Sequence, residues 1–144
     1  MAEPAAGKDS GLVLPSCYSR RLLLSSTGAL VCAIGSALAQ RPALSLVSLA
    51  VWLCSLNYWR LPLRRSWRRT ADMSAAGVAC VTHLVEASES AHWQIYLAMV
   101  ASGVLCYGLA RSIGARDQNA SSACHAALHL LGTVANLIMY RGLP

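Results

Sequence analysis

Two histidines near the end of the chain, His125 and His129, stand four residues apart in the stretch CHAALHLLG, residues 124 to 132. On an α-helix this spacing places both imidazoles on one face, about one turn apart. Two imidazoles so placed can bind one zinc ion together. No glutamate follows His125, so the pair is not the H-E-x-x-H motif of metalloproteases. The same spacing also fits two rings that each make an interhelical hydrogen bond, and both interpretations stay open.

A carboxylate and a third histidine lie upstream, at Asp72 and His83. His83 stands eleven positions after Asp72. On one helix this step returns to nearly the same face but about 16 Å away, so the two cannot bind one ion together. Asp72 also begins an apolar segment beside Arg68 and Arg69, where a carboxylate suits the positive end of the helix dipole. Asp72 is therefore either a helix-start residue or a partner of the histidine pair.

The elements that would hold these side chains are five apolar segments. They run from Leu22 to Ala39, Ala43 to Tyr58, Asp72 to about Ser88, Trp93 to Ala110, and about Ser121 to Tyr140. The 144 residues are 56% hydrophobic and only 12% charged, whereas soluble globular proteins carry about 25% charged residues. Segments of this length are long enough, or nearly so, to cross a bilayer. The sequence predicts an all-α, polytopic membrane bundle of about five transmembrane helices, with residues 20–144 as a single domain and residues 1–19 as a flexible tail.

An arginine-rich stretch, NYWRLPLRRSWRRTAD at residues 57–72, separates the second and third segments. It contains Arg60, Arg64, Arg65, Arg68 and Arg69, with Trp59 and Trp67 among them. If every segment crosses and the N-terminus is cytosolic, ten of the twelve basic residues fall on the cytosolic side, in agreement with the positive-inside rule. We therefore predict a cytosolic N-terminus, a cytosolic loop at residues 60–71, and a C-terminus on the far side.

The same stretch suggests which partners the chain meets. Trp59 and Trp67 are predicted to lie at headgroup level, where tryptophan is enriched. The arginines are predicted to contact anionic lipid headgroups, or to serve as a topology anchor. Nucleic acid is not a predicted partner, because the flanking helices hold the loop against a bilayer.

The first apolar segment has a second interpretation as a secretory signal peptide. It follows Arg20 and Arg21, and Ala37 and Ala39 form a small-residue cleavage pattern. Cleavage after Ala39 would leave four helices with the same sidedness. The apolar run of 18 residues exceeds the usual signal core of about 7 to 15 residues, so a retained helix is the prediction.

The stretch CHAALHLLG resembles the last-helix H-x-x-x-H of the alkaline ceramidase and adiponectin-receptor superfamily of membrane hydrolases. That superfamily also has a serine, a histidine and an aspartate upstream, and Ser55 and Asp72 stand in the corresponding order. The resemblance implies that His125 and His129 bind zinc. It also implies that Ser55 and Asp72 support the metal-bound water in hydrolysis of a lipid amide.

The resemblance further implies seven helices and a third histidine ligand between the serine and the aspartate. This chain has at most five helices, and Asn57, Tyr58 and Trp59 occupy the region of that ligand. The arginine-rich stretch, in turn, resembles small multi-pass membrane proteins without an assigned role.

Three classes of function follow from these patterns. The leading hypothesis is a small multi-pass membrane protein that acts through packing or through contacts with partners and lipid, and that needs no cofactor. The second is a zinc-dependent lipid amide hydrolase, so the sequence leaves enzymatic activity open. The third is a subunit of an oligomeric transporter or channel, in which homo-oligomers supply a path that a single chain of this length is too short to enclose.

Overall fold

The computed structural model describes residues 11–144, and these residues form six α-helices. They are α1 (Ser16–Ser25), α2 (Thr27–Leu38), α3 (Pro42–Trp59), α4 (Trp67–Ala87), α5 (Trp93–Ile113) and α6 (Gln118–Arg141). Within residues 11–144 there is no strand, only an isolated bridge between Leu12 and Leu63. The predicted all-α fold is confirmed.

Helices α1 and α2 together make one long rod. Only Ser26 separates them, and its hydroxyl donates a hydrogen bond to the Leu22 carbonyl at 2.7 Å. The combined rod, Ser16–Leu38, is 23 residues long. This rod and helices α3, α5 and α6 are each long and apolar enough to cross a membrane.

Helix α4 has the length of a membrane span but not the composition. It contains 21 residues, which make about 32 Å of helix. Among the described helices it falls outside the group with the apolar character of a span, because Arg68, Arg69, Asp72 and Glu86 lower its mean hydropathy. The bundle therefore has five rods, as predicted, and four of them qualify as spans by length and composition.

Three helices begin at residues suited to a helix N-terminus. The Ser66 hydroxyl accepts a hydrogen bond from the Arg69 backbone N–H at 3.3 Å, at the start of α4. The Asp117 carboxylate accepts one from the Ala120 backbone N–H at 2.8 Å, at the start of α6. Pro42 occupies the first turn of α3, where its fixed φ angle suits a helix. These caps let α4 and α6 begin in polar sequence, ahead of the predicted apolar segments.

Most helices that follow one another across a short connection pack side by side, but α4 and α5 make little contact with each other. Helix α3 packs between α2 and α4, and α6 packs against α5 and against the α1–α2 rod. Gly28 and Gly35 of α2 face α6 at close range. A Cβ atom built on Gly28 would lie 3.2 Å from Thr133 Cβ, and one on Gly35 would lie 2.8 Å from Leu137 Cδ2. Small residues permit this close approach of two helices.

Large apolar side chains cover the outside of the bundle. Leu38 is 81% exposed, Leu105 is 74% exposed and Leu24 is 69% exposed. A soluble monomer rarely presents a contiguous apolar surface of this kind. Such a surface is typical of helices that face lipid.

The connections between helices sort to two ends of the bundle. At the first end, which we call the basic end, residues 11–15, 60–66 and 114–117 lie together. The Val13 backbone N–H donates to the Pro62 carbonyl at 2.8 Å, and the Arg21 guanidinium donates to the Asn119 carbonyl at 3.1 Å. The helix ends at the basic end carry Arg20, Arg21, Arg60, Arg64, Arg65, Arg68, Arg69, Arg111 and Arg116.

The opposite end holds the connection at residues 39–41, the connection at residues 88–92 and the C-terminus. The Arg41 guanidinium donates to the Pro144 carbonyl at 2.8 Å, and the Ala91 backbone N–H donates to the Gly142 carbonyl at 2.9 Å. Of the described basic residues, only Arg41 and Arg141 lie at this end. The fold thus separates the basic residues in space, as their positions in the sequence predict.

The N-terminal tail predicted at residues 1–19 differs in part from the structure. Residues 1–10 lie outside the described range. The backbone N–H of Arg64 donates to the Gly11 carbonyl at 2.9 Å, which holds residues 11–15 against the 60–66 connection. Helix α1 then begins at Ser16, so the helix includes polar residues that precede the apolar run.

Candidate functional site

The predicted serine and aspartate meet at the basic end of the bundle. Ser55 lies one turn before the end of α3, and Asp72 lies in the second turn of α4. The Ser55 hydroxyl donates a hydrogen bond to the Asp72 carboxylate at 2.5 Å. Ser55 is buried and Asp72 is half-buried. The pair joins α3 to α4 just behind the 60–66 connection, where a bond to a charged acceptor is stronger than one between neutral groups.

The predicted histidine pair lies on one face of α6. The ring centroids of His125 and His129 are 5.0 Å apart, with the ring planes nearly perpendicular at 84°. His129 Nδ1 lies 2.7 Å from the Ser25 hydroxyl of α1. This contact between α1 and α6 was not predicted. Ser25 and His129 are 104 residues apart, and no local pattern connects them.

Aromatic side chains from two other helices pack against His125. The Trp59 ring of α3 lies 5.3 Å away between centroids, at an interplanar angle of 83°. The Tyr107 ring of α5 lies 5.6 Å away, also at 83°. His125 is thus the centre of an aromatic cluster formed by α3, α5 and α6, with His129 as the fourth ring. No pattern in the sequence indicated that Tyr107 belongs to this cluster.

Trp59, predicted to lie at headgroup level, has its ring inside the bundle, and its depth in a membrane stays a prediction. Trp59 is only 5% exposed, and it packs with Leu14, Leu22 and Tyr58 in the hydrophobic cluster of the basic end. The ring is buried because the rotation of α3 about its own axis turns the Trp59 indole towards α6. Trp67, which begins α4, is 70% exposed and keeps a position compatible with headgroup level.

The two halves of the predicted zinc site meet through Trp59. Ser55 and Trp59 are four residues apart on α3, so the helix that holds the Ser55–Asp72 pair also holds the ring that touches His125. Zinc sites in proteins use three or four protein ligands. Across residues 11–144, no group of three or more histidine, cysteine, aspartate or glutamate side chains is placed to hold a metal ion. The histidine pair supplies two donors, and zinc binding stays a prediction.

A second polar contact lies deeper in the bundle. His83 of α4 is buried, its Nε2 atom lies 2.7 Å from the Tyr140 hydroxyl, and its Nδ1 atom lies 2.7 Å from the Ala79 carbonyl. With Nδ1 protonated towards the carbonyl, Nε2 accepts the hydrogen bond from the tyrosine. The contact ties α4 to the last turns of α6. Both ring nitrogens of His83 are therefore occupied by protein groups.

The basic stretch, residues 60–69, has three exposed arginines and two half-buried ones, Arg68 and Arg69. Arg60, Arg64 and Arg65 are exposed. Arg69 donates to the Arg64 carbonyl at 3.0 Å, and the guanidinium carbon of Arg68 lies 6.0 Å from the centroid of the neighbouring Trp67 ring.

None of these five arginines pairs with a carboxylate of the described residues. Within residues 11–144 the one ion pair joins Arg41 to Glu86, at the opposite end. Within the described part of the chain, the arginines of the basic stretch are therefore without an ion-pair partner.

Comparison with protein-family models, with curated proteins and with solved structures finds no match to this chain.

Proposed function

We propose that the protein is a multi-pass integral membrane protein that binds anionic lipid headgroups through its basic stretch, residues 60–69. The observation that carries this proposal is a group of five arginines, none in an ion pair within the described residues, on the end of an apolar bundle. An anionic leaflet attracts each such arginine by about 1 kcal/mol. Packing against lipid and against partners is the function of the rest of the surface.

The position of the stretch relative to the apolar surface supports the proposal. The basic stretch connects α3 to α4, so it lies where the apolar side of the bundle ends. Leu61 and Trp67 within it are 45% and 70% exposed. The indole of Trp67 is amphipathic and lies beside cationic groups, which suits the interface between hydrocarbon and headgroups. The guanidinium groups then stand at the depth of the lipid phosphates, with which arginine makes paired hydrogen bonds.

The concentration of basic residues at one end of the bundle supports one orientation of the chain in the membrane. With the basic end in the cytosol, the N-terminus and residues 60–71 are cytosolic and the C-terminus lies on the far side. The cytosolic leaflet is also the one that carries anionic lipids in most cell membranes. Sidedness and lipid binding therefore agree with each other.

The experiment is a titration of the detergent-purified protein with fluorescent phosphatidylserine, followed by fluorescence anisotropy. The test variant replaces Arg60, Arg64 and Arg65 with glutamine. At about 0.2–1 kcal/mol for each exposed ion pair with the lipid, its affinity falls about 3- to 150-fold, and added salt weakens wild-type binding. The control variant is Arg141→Gln at the opposite end, which leaves the affinity unchanged. Equal affinity in the wild type and the triple variant contradicts the proposal.

A zinc-dependent hydrolase of lipid amides is the second candidate. It is favoured by the Ser55–Asp72 hydrogen bond and by the histidine pair on α6. This candidate predicts stoichiometric zinc in the purified protein and its loss in His125→Ala and His129→Ala. Metal analysis of those three samples separates the two candidates, because lipid binding by the basic stretch needs neither histidine.

A further inference from the structure

The aromatic cluster around His125 has the spacing of a metal site but not its donors. Two imidazoles on one tetrahedral zinc ion have centroids about 5 Å apart, since each Zn–N bond is about 2 Å long and the centroid lies about 1 Å beyond the nitrogen. The centroids of His125 and His129 are 5.0 Å apart. The Trp59 centroid, on a different helix, lies 5.3 Å from that of His125. Both neighbours of His125 thus lie at the separation of neighbouring ligands, and one of these neighbours is an indole.

An indole cannot complete such a site. Its only polar atom is an N–H group, which donates a hydrogen bond and offers no lone pair to a metal. Trp59 is 5% exposed and its ring packs against that of His125, so a side chain without a metal donor occupies the α3 side of His125. On the other side of the pair, His129 Nδ1 is engaged by the Ser25 hydroxyl at 2.7 Å.

We infer that Trp59 prevents the histidine pair from binding a metal ion. The ring contact between Trp59 and His125, which we call the joint, then connects α3 to α6 without a metal. Trp59 is the specificity-determining residue of the cluster: a donor side chain at this position completes a metal site, and the indole prevents one. The inference therefore decides against the second candidate function, because aromatic packing takes the place of the third ligand in the zinc site that the resemblance to membrane hydrolases implies.

The joint has a direct structural consequence for the basic stretch. Trp59 is the last residue of α3, and Arg60 follows it. The ring contact between Trp59 and His125 therefore fixes the position, relative to α6, at which the basic stretch begins. Leu14 and Leu22 pack in the same cluster as Trp59, so the joint also holds the N-terminal segment and α1. The inference about metal does not depend on lipid binding and is tested separately from it.

The test compares wild type, Trp59→His and Trp59→Phe in detergent, with cobalt(II) as an optical substitute for zinc. Wild type and Trp59→Phe bind no stoichiometric metal. Trp59→His binds about one ion per chain and gives the visible absorption of tetrahedral cobalt. The double variant Trp59→His with His125→Ala loses that ion. Circular dichroism and gel filtration confirm that each variant is folded.

A second variant covers the case in which Trp59→His does not fold. Trp59→Ala removes the indole and leaves a cavity, and added imidazole then supplies the third donor. We expect about one ion per chain with imidazole present and none without it.

Two results would overturn the inference. The first is a wild-type protein with one bound ion that disappears in His125→Ala, since the pair is then open to metal with Trp59 in place. The second is a folded Trp59→His variant that binds no more metal than wild type. A failure of phosphatidylserine binding leaves both readouts unchanged, so the two proposals fail independently.

Discussion

Replacing Gly28 with alanine adds a methyl group at the point where α2 touches α6. The new Cβ would overlap the Thr133 hydroxyl and lie 3.2 Å from Thr133 Cβ. The hydroxyl is itself bonded to the His129 carbonyl at 2.8 Å, so rotating it away breaks that bond. Overpacking of this kind costs about 1–3 kcal/mol. The cost is offset in part by the higher helix propensity of alanine, which is worth about 0.8–1.0 kcal/mol.

The matched control is Gly108→Ala on α5, where nothing lies within 4 Å of the added Cβ. It gains the same helix propensity without an overlap, so the difference between the two variants isolates the overlap. We expect Gly28→Ala to melt about 3–10 °C below Gly108→Ala, measured by circular dichroism in one detergent. Thr133→Ala introduced beside Gly28→Ala restores part of the loss, because the two sites share one contact.

One result would refute this reasoning. If Gly28→Ala melts at the same temperature as Gly108→Ala, then α2 and α6 do not approach as closely as the structure has them. The packing of the α1–α2 rod on α6, and with it the Ser25–His129 contact, would then be wrong.

Three further variants test individual contacts by the same melting measurement. Ser55→Ala removes a hydrogen bond to a carboxylate and lowers the stability by about 1.5–3 kcal/mol; no loss would show that the bond does not form. Tyr140→Phe removes the hydroxyl 2.7 Å from His83 Nε2 and costs about 1 kcal/mol, the usual scale of interhelical hydrogen bonds in membranes. Glu86→Gln removes the ion pair with Arg41, whose two side chains are each 30% exposed, and changes the stability by less than about 1 kcal/mol.

The helices were predictable because their apolar runs are long and their connections are short. The ends of the helices were less predictable, because the helices extend beyond the apolar residues from which they were predicted. Trp67 to Ala71 is strongly basic, yet it forms the first turns of α4 behind the Ser66 cap. Likewise α6 begins at Gln118 behind the Asp117 cap. Capping rules applied to Ser66 and Asp117 would have placed both starts correctly.

The candidate site was predictable only where residues lie close in sequence or match a known order. His125 and His129 share a face because a helix has 3.6 residues per turn. The meeting of Ser55 with Asp72 follows from an antiparallel pair of helices joined by a short connection. The contact between Ser25 and His129 depends on how α1 packs against α6, which no local pattern specifies.

The same limit explains why the burial of the Trp59 ring inside the bundle was not predicted. Its position at the end of an apolar segment, beside arginines, is typical of a headgroup residue. Whether such a ring faces lipid or the bundle depends on the rotation of α3 against α6. That rotation is set by packing at positions far along the chain, such as Ala126 in the same cluster.

The sidedness of the two ends is the most direct test of the membrane architecture. One variant keeps the exposed Cys17 at the basic end and has its other cysteines replaced by alanine. A second variant has no native cysteine and carries Ser88→Cys at the opposite end. Both are treated with a membrane-impermeant maleimide in sealed vesicles whose cytosolic face is outward. Cys17 reacts at once, and the cysteine at position 88 reacts only after the vesicles are permeabilised. Labelling of both positions in sealed vesicles, or recovery of the chain in the soluble fraction without detergent, contradicts a membrane-spanning bundle with its basic end in the cytosol.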